Sequence, residues 1–247
     1  GYPVAIFGHD LGASKESLVV IAGALAARGI ASVAIDLPDS GSRAVQVSLD
    51  GACASATYAT TPQCYAPFLA IDLPTLRDTI REGVVDLEQL ARAVAACRPG
   101  QCDELAVDPT RISYVGDALG GALGGLLVAV EPRITSAVLA VPDVGWLDTF
   151  EQTQSPALAC PFVDALITEG VLTGSLWDGA HHGLCTSSSW VAQPAYRQLA
   201  RAARWILDPA DGANVARRLA GKRVLIQEVV GDEVFPNAAT DSEGALA

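Results

Sequence analysis

The sequence's clearest chemical signal lies between positions 116 and 121. Gly116-Asp117-Ala118-Leu119-Gly120-Gly121 matches the pattern G-x-S-x-G-G, except that alanine stands where the pattern has serine. In that pattern a strand ends in a strained turn that lifts a hydroxyl clear of the backbone, ready to attack an electrophilic carbon. Gly116 and Gly120 flank position 118 because a side chain two places to either side would collide with the neighbouring strand or helix. The mount for a nucleophile is therefore present and the nucleophile is absent. Asp117 is one residue off the apex of the turn, so its carboxylate points elsewhere and does not replace the hydroxyl.

Two other places carry groups that could work with such a turn. Gly8-His9-Asp10-Leu11-Gly12 follows an early apolar run; His9 reads as a loop histidine that hydrogen-bonds backbone and fixes the turn, rather than one that transfers protons. Gly231-Asp232-Glu233-Val234-Phe235-Pro236 follows the last clear apolar run. An acid there could orient a histidine and stabilise its imidazolium, or could simply close an Asx-turn; Glu233 is the off-register alternative. The remaining histidines, His181 and His182, precede Asp232 in the chain. They read as loop or surface residues.

The elements that position these groups follow from the apolar pattern. Pro3 to Phe7, Ala31 to Ile35, Ile112 to Val115, Thr135 to Val141 and Arg223 to Val230 read as strands, and Pro3 to Phe7 lacks alternation, as a strand covered on both faces does. Lys15 to Arg28 places Leu18, Ile21, Ala22 and Leu25 on one helical face. A long helix with Thr75 as its N-cap carries the stripe Leu76, Ile80, Val84, Leu87, Leu90 and Val94, with a Glu88–Arg92 pair on its wet side. The uncharged run after the glycine-rich turn predicts a buried helix. Further helices are expected in the second half of the segment ending at Ile206 and from Asn214 to Ala220, where Gly221 stops the last one. Strands alternating with helices through short links give a parallel α/β sheet with right-handed crossovers.

Two segments break this rhythm. Ser40 to Pro74 loses periodicity and holds Cys53 and Cys64, which reads as a disulfide-tied surface insertion. Residues 143–205 carry Trp146, Phe150, Phe162, Trp177 and Trp190; they form either a lid with an acyl-binding wall or a small core of their own. The expected organisation is one α/β core, residues 1–142 and 206–247, with 143–205 as a lid or cap insertion within the same domain. Because residue 1 already opens a core strand, the core is expected to be trimmed at both ends.

The 247 residues suit a single α/β domain, and half of them are hydrophobic. A formal net charge of -12, from 16 basic and 28 acidic residues, argues against a nucleic-acid partner. The longest apolar window, Leu18 to Leu37, is interrupted by Arg28 and Gly29 and is not an integral membrane span. Six cysteines fall into three close sequential pairs, 53 with 64, 97 with 102 and 160 with 185, which favours disulfides and an oxidising compartment, secreted, extracellular or periplasmic. Their spacing does not resemble a zinc site, and no metal is expected.

Taken in order, the His9 loop, Val33-Ala34-Ile35-Asp36-Leu37-Pro38, Arg77-Asp78 before Val85-Asp86-Leu87, the turn at 116–121 and the Asp232 loop resemble the α/β-hydrolase superfamily. Within it, the sequence looks most like bacterial secreted lipases and esterases. The resemblance covers nearly the whole chain outside 40–74 and 143–205. It implies the α/β-hydrolase fold, a mostly parallel doubly wound sheet with a cap or lid insertion, and acyl transfer to a serine at position 118. Asp232 would be the acid of the set, and the backbone N–H groups of Leu119 and Leu11 would form the oxyanion hole. The substrate would be a small-molecule or lipid ester, with no cofactor.

The sequence departs from the superfamily pattern at four points. Ala118 replaces the serine, Asp117 stands where many relatives carry histidine, Asp10 replaces a loop glycine, and no histidine follows Asp232. Loss of a triad serine typically costs about 10⁶ in turnover. The sequence therefore fits a carboxylic ester hydrolase in a form lacking its nucleophile. The alternative is a naturally inactive homologue that binds a lipid or acyl ligand.

Overall fold

In the computed structural model, which describes residues 1–98, 106–177 and 183–246, five strands make one fully parallel sheet. They are β1 (Tyr2–Gly8), β2 (Ala31–Ala34), β3 (Val107–Asp117), β4 (Ile134–Ala140) and β5 (Arg223–Gln227), in the spatial order β2-β1-β3-β4-β5. The register sets Phe7 beside Val115 and Val115 beside Val138, so the three central strands end level with one another. The order reverses between β1 and β3, which leaves a crevice at their carboxyl ends, where open parallel sheets hold ligands. From Val4 to Gly8, β1 is buried without alternation, as a strand covered on both faces must be. Along β3 and β4 buried and partly exposed residues alternate, so one face of those strands is less deeply covered.

The helices are α1 (Val19–Ala26), α2 (Leu73–Ala96), α3 (Leu119–Val130), α4 (Trp146–Gln152), α5 (Pro156–Thr168), α6 (Pro194–Leu207) and α7 (Asn237–Leu246). The run expected as one helix from Lys15 to Arg28 is a 3-10 turn followed by α1, and α1 buries no residue fully. Asp72, not Thr75, caps α2: its carboxylate accepts the Thr75 N–H at 2.9 Å, with Pro74 in the first turn where no backbone donor is needed. Asn214 to Ala220 forms short 3-10 turns instead of an α-helix. The uncharged α3 is buried nearly end to end, as its composition requires.

One continuous core joins the sheet to the 143–205 segment. Ile6, Leu37, Tyr114 and Leu139 from the strands and their ends pack in the same cluster as Trp146, Phe150, Phe162, Trp190 and Tyr196. Phe150 and Phe162 stack with ring centroids 4.6 Å apart, and Trp190 bridges Phe162 to Tyr196 edge-on at 6.0 and 4.7 Å. Disulfides join Cys53 to Cys64 and Cys160 to Cys185. Cys97 is also disulfide-bonded; Cys102, expected as its partner, lies outside the described residues, as do His181 and His182. No helix among the described residues is long and apolar enough to cross a membrane.

Candidate active site at the strand ends

Position 118 is the sharp turn between β3 and α3. Ala118 has φ 46° and ψ -107°, a conformation that L-residues other than glycine avoid. The turn is interlocked at the backbone. A Cβ on Gly116 would lie 2.3 Å from the Gly120 carbonyl oxygen, and one on Gly120 would lie 2.1 Å from the Gly8 oxygen. The Ala118 N–H donates to the Ala140 oxygen at 2.9 Å, and the buried Tyr114 hydroxyl donates to the Gly120 oxygen at 2.6 Å. Burial pushes the Tyr114 phenol far above its ordinary pKa, so it remains a donor. The Ala118 methyl packs against Val141 and Phe235. Val141, at the end of β4, also has positive φ, 49°, unusual for a β-branched residue.

His9 is fully buried, and both ring nitrogens are engaged. Nε2 accepts the Leu37 N–H at 3.1 Å and Nδ1 pairs with the Asp10 carbonyl oxygen at 2.9 Å. This network assigns the neutral tautomer with the proton on Nδ1. Burial lowers its pKa, outweighing the Asp10 carbonyl and the Asp36 charge, which raise it. His9 thus holds the loop after β1 against the end of β2. On the far side of that contact, Asp36 accepts from the Lys15 and Ser42 N–H groups at 2.9 and 3.0 Å, and from the Ser42 hydroxyl at 2.6 Å.

The loop held by His9 carries Asp10 and Leu11. The Leu11 N–H donates to the Asp10 Oδ1 at 2.5 Å, and the Leu119 N–H lies near enough to act on that carboxylate. Burial raises the Asp10 pKa and the charges of Asp117 and Asp232 raise it further, while the two amides pull it down. The Leu11 N–H, expected to face a substrate oxygen, thus has a side chain of the protein as its acceptor. The sequence shows an aspartate in place of a loop glycine at position 10; what its carboxylate does depends on its rotamer.

Asp232 lies on the loop after β5. Its Oδ1 accepts the N–H groups of Val234 and Phe235 at 2.8 and 2.9 Å, which makes it the Asx-turn of its own loop. Asn237 staples the loop by accepting the Gly231 N–H at 2.8 Å and donating to the Val229 oxygen at 2.7 Å. The Glu233 carbonyl, not its side chain, is what engages: it accepts the Gln154 N–H at 2.8 Å and the Thr153 hydroxyl at 3.0 Å, tying this loop to the segment between α4 and α5. His9 is the sole histidine among the described residues, and its ring is committed elsewhere.

Beside Leu11 opens an apolar groove of about 320 Å³. One wall is Tyr58, Tyr65 and Phe68 from the 40–74 segment, and the other is Phe150 and Phe162 from the 143–205 segment. Ile71 and Phe162 also line a second apolar hollow of about 460 Å³ that continues toward α2 and α6. The 40–74 contribution was missed in the sequence, where only the aromatics around Cys64 could have signalled it. Among the described residues no cluster of His, Cys, Asp or Glu could hold a metal ion.

A parallel sheet whose central strand runs through a strained glycine-flanked turn into a buried helix is the α/β-hydrolase fold. Solved structures similar to this chain include esterases of that fold. The acetyl xylan esterase from Paenibacillus sp. R4 superposes with a TM-score of 0.60 at 18% identity, covering 100% of this chain and 65% of that one. Acetyl xylan esterase 1 from Thermoanaerobacterium sp. JW/SL YS485 gives 0.59 at 18% identity, covering 99% and 65%. A puromycin-hydrolyzing peptidase of Mycobacterium tuberculosis gives 0.56 at 14% identity, covering 100% and 28%. The chain thus spans less than two thirds of the length of these proteins. No protein-family model matches the chain, and no curated protein matches it in sequence.

Proposed function

We propose that this chain is an esterase-type α/β hydrolase that binds a small ester or acyl ligand in the groove beside Leu11 and does not turn it over. The observation that carries this reading is the apolar, aromatic-walled groove lined by Leu11, in a chain whose elbow carries a methyl group in place of a hydroxyl. Acyl transfer needs a nucleophile, a base and free oxyanion donors. Here position 118 has no hydroxyl, the one described histidine is locked to backbone, and the Leu11 amide already has an acceptor. The groove needs none of those groups to hold a hydrocarbon chain. Residues 143–205 serve in this reading as a packed wall of the core formed by 1–142 and 206–247. The disulfides support placement in an oxidising compartment, secreted or periplasmic.

The test is thermal stability of the full-length protein with added methyl decanoate and 1-decanol. A ligand that binds only the folded state at a hundred times its Kd stabilises by about 2.7 kcal/mol, a shift of several degrees. A melting temperature indifferent to both compounds would remove the reading.

A second reading has one specific observation in its favour. Ala118 keeps a costly backbone conformation whose known use is to present a nucleophile. On this reading a serine at 118 attacks the ester carbonyl, Asp232 stands behind a histidine, and the protein is a carboxylic ester hydrolase. Ala118→Ser in the full-length protein would then hydrolyse p-nitrophenyl butyrate. Folded protein without burst or turnover would dismiss it.

A further inference from the structure

The groove beside Leu11 and the hollow behind it share two side chains, Ile71 and Phe162. Phe162 is buried and stacked on Phe150, whereas Ile71 is exposed just ahead of α2, so the part of this partition that can yield is Ile71. Beyond it the walls are Leu166 on α5, Val171 just after it, and Leu199, Ala203 and Ile206 on α6. The tyrosines along both spaces have their hydroxyls engaged with protein: Tyr65 donates to the Ala56 oxygen at 3.0 Å, Tyr58 to the Ser40 hydroxyl at 3.4 Å and Tyr196 to Glu151 at 2.8 Å. What they offer a ligand is ring carbon. The other polar side chains on the two linings, Gln63, Asp72 and Glu169, are exposed. Walls so poor in hydrogen-bond partners suit hydrocarbon better than ordered water or a polyhydroxylated ligand.

We propose that the groove and the hollow form one site for a single long, unbranched hydrocarbon chain, the acyl or alkyl part of an ester, which enters beside Leu11, passes Ile71 and ends between α5 and α6. The proposal rests on the groove being a ligand site, and deepens that reading by naming the ligand's chain length. A methylene takes about the room of a water molecule, on the order of 30 Å³, so the groove of about 320 Å³ holds about ten carbons and the hollow of about 460 Å³ at least as many again. Each methylene taken from water into such a site tightens binding about fourfold. A chain confined to the groove stops gaining affinity near decanol; one that continues past Ile71 does not.

The experiment is equilibrium dialysis of the full-length protein against radiolabelled hexanol, octanol, decanol, dodecanol and tetradecanol, each below its solubility limit, in the parent, Ala165→Phe and Leu199→Trp forms. Both replaced residues are half-buried, and both line the hollow and not the groove. In the parent, Kd should fall about fourfold per methylene through tetradecanol. In both variants decanol and the shorter alcohols should bind as they do to the parent, while tetradecanol should bind no better than decanol, a loss of roughly two hundredfold. The two substitutions fill the hollow from different helices, so one that does not fold leaves the other to decide, and the parent series needs neither. The proposal is overturned, with the groove reading intact, if affinity in the parent levels off at decanol or if the gain from decanol to tetradecanol survives in a folded variant. If no alcohol binds the parent, the groove reading and the proposal fall together.

Discussion

The elbow and the loops that face it have kept different things. At the elbow, backbone meets backbone: Gly116 against Gly120, Gly120 against Gly8, with Ala118 held at φ 46° between them. In the facing loops, side chains that could do chemistry have turned onto nearby main chain: His9 onto Asp10 and Leu37, Asp10 onto Leu11, Asp232 onto Val234 and Phe235. Geometry enforced by close packing does not depend on which side chain stands at position 118. Polar groups that no substrate or partner residue engages are satisfied locally, since a buried polar atom left unpaired is costly.

The contrast is broken most directly at Gly120. A methyl there would lie 2.1 Å from the Gly8 oxygen and 2.3 Å from its carbonyl carbon, and neither strand nor helix backbone yields cheaply. Gly120→Ala should lose about 3 kcal/mol or more in chemical denaturation, at the upper end of overpacking costs. A loss below about 1 kcal/mol would mean that β1 and α3 are not interlocked at this point.

On the loop side, the comparable probe is Asp36, whose buried carboxylate holds Lys15 and Ser42 beneath the His9 loop. Burial alone would raise its pKa, yet the hydrogen bonds from Lys15 and Ser42 together outweigh that and hold it well below the ordinary carboxylate range. A depressed folded-state pKa gives stability that is complete above the unfolded value of about 3.9 and is lost as pH falls through the folded value. Asp36→Asn should therefore cost about 2 kcal/mol at pH 7, as loss of charged hydrogen bonds does. The gap between variant and parent should narrow progressively below about pH 4. A gap independent of pH would mean that shape, not charge, secures the loop.

The sequence was readable where one local rule decided the outcome. Glycine spacing specified the elbow, and the uncharged run after it specified a buried helix. Leu76, Ile80 and Leu87 marked the core face of α2. Its start was misplaced at Thr75: Asp72 also has cap chemistry, and the chain geometry selects it. The groove was not readable, since its walls come from Tyr58, Tyr65 and Phe68 on one segment and Phe150 and Phe162 on another far along the chain. The position of the Asp10 carboxylate was not readable either. Whether a side chain in a turn faces solvent or its next amide is a rotamer decision made by the surroundings, and here Asp10 takes the Leu11 amide.

The smallest effect is the most informative about the elbow itself. Glycine at position 118 removes a conformational penalty of order 1–3 kcal/mol for holding a Cβ at this φ and ψ. Against that, it forfeits the methyl packed on Val141 and Phe235, about 0.8 kcal/mol, and adds about 0.5–1 kcal/mol of unfolded-chain entropy. The terms nearly cancel, so Ala118→Gly should be neutral to about 1 kcal/mol more stable by equilibrium unfolding. Stabilisation would show that the elbow is strained by its neighbours and that the alanine carries the strain without using it. A loss greater than about 1 kcal/mol would reverse the contrast: the apex would then be held by what its methyl touches, and the turn would have been rebuilt around alanine as part of the core.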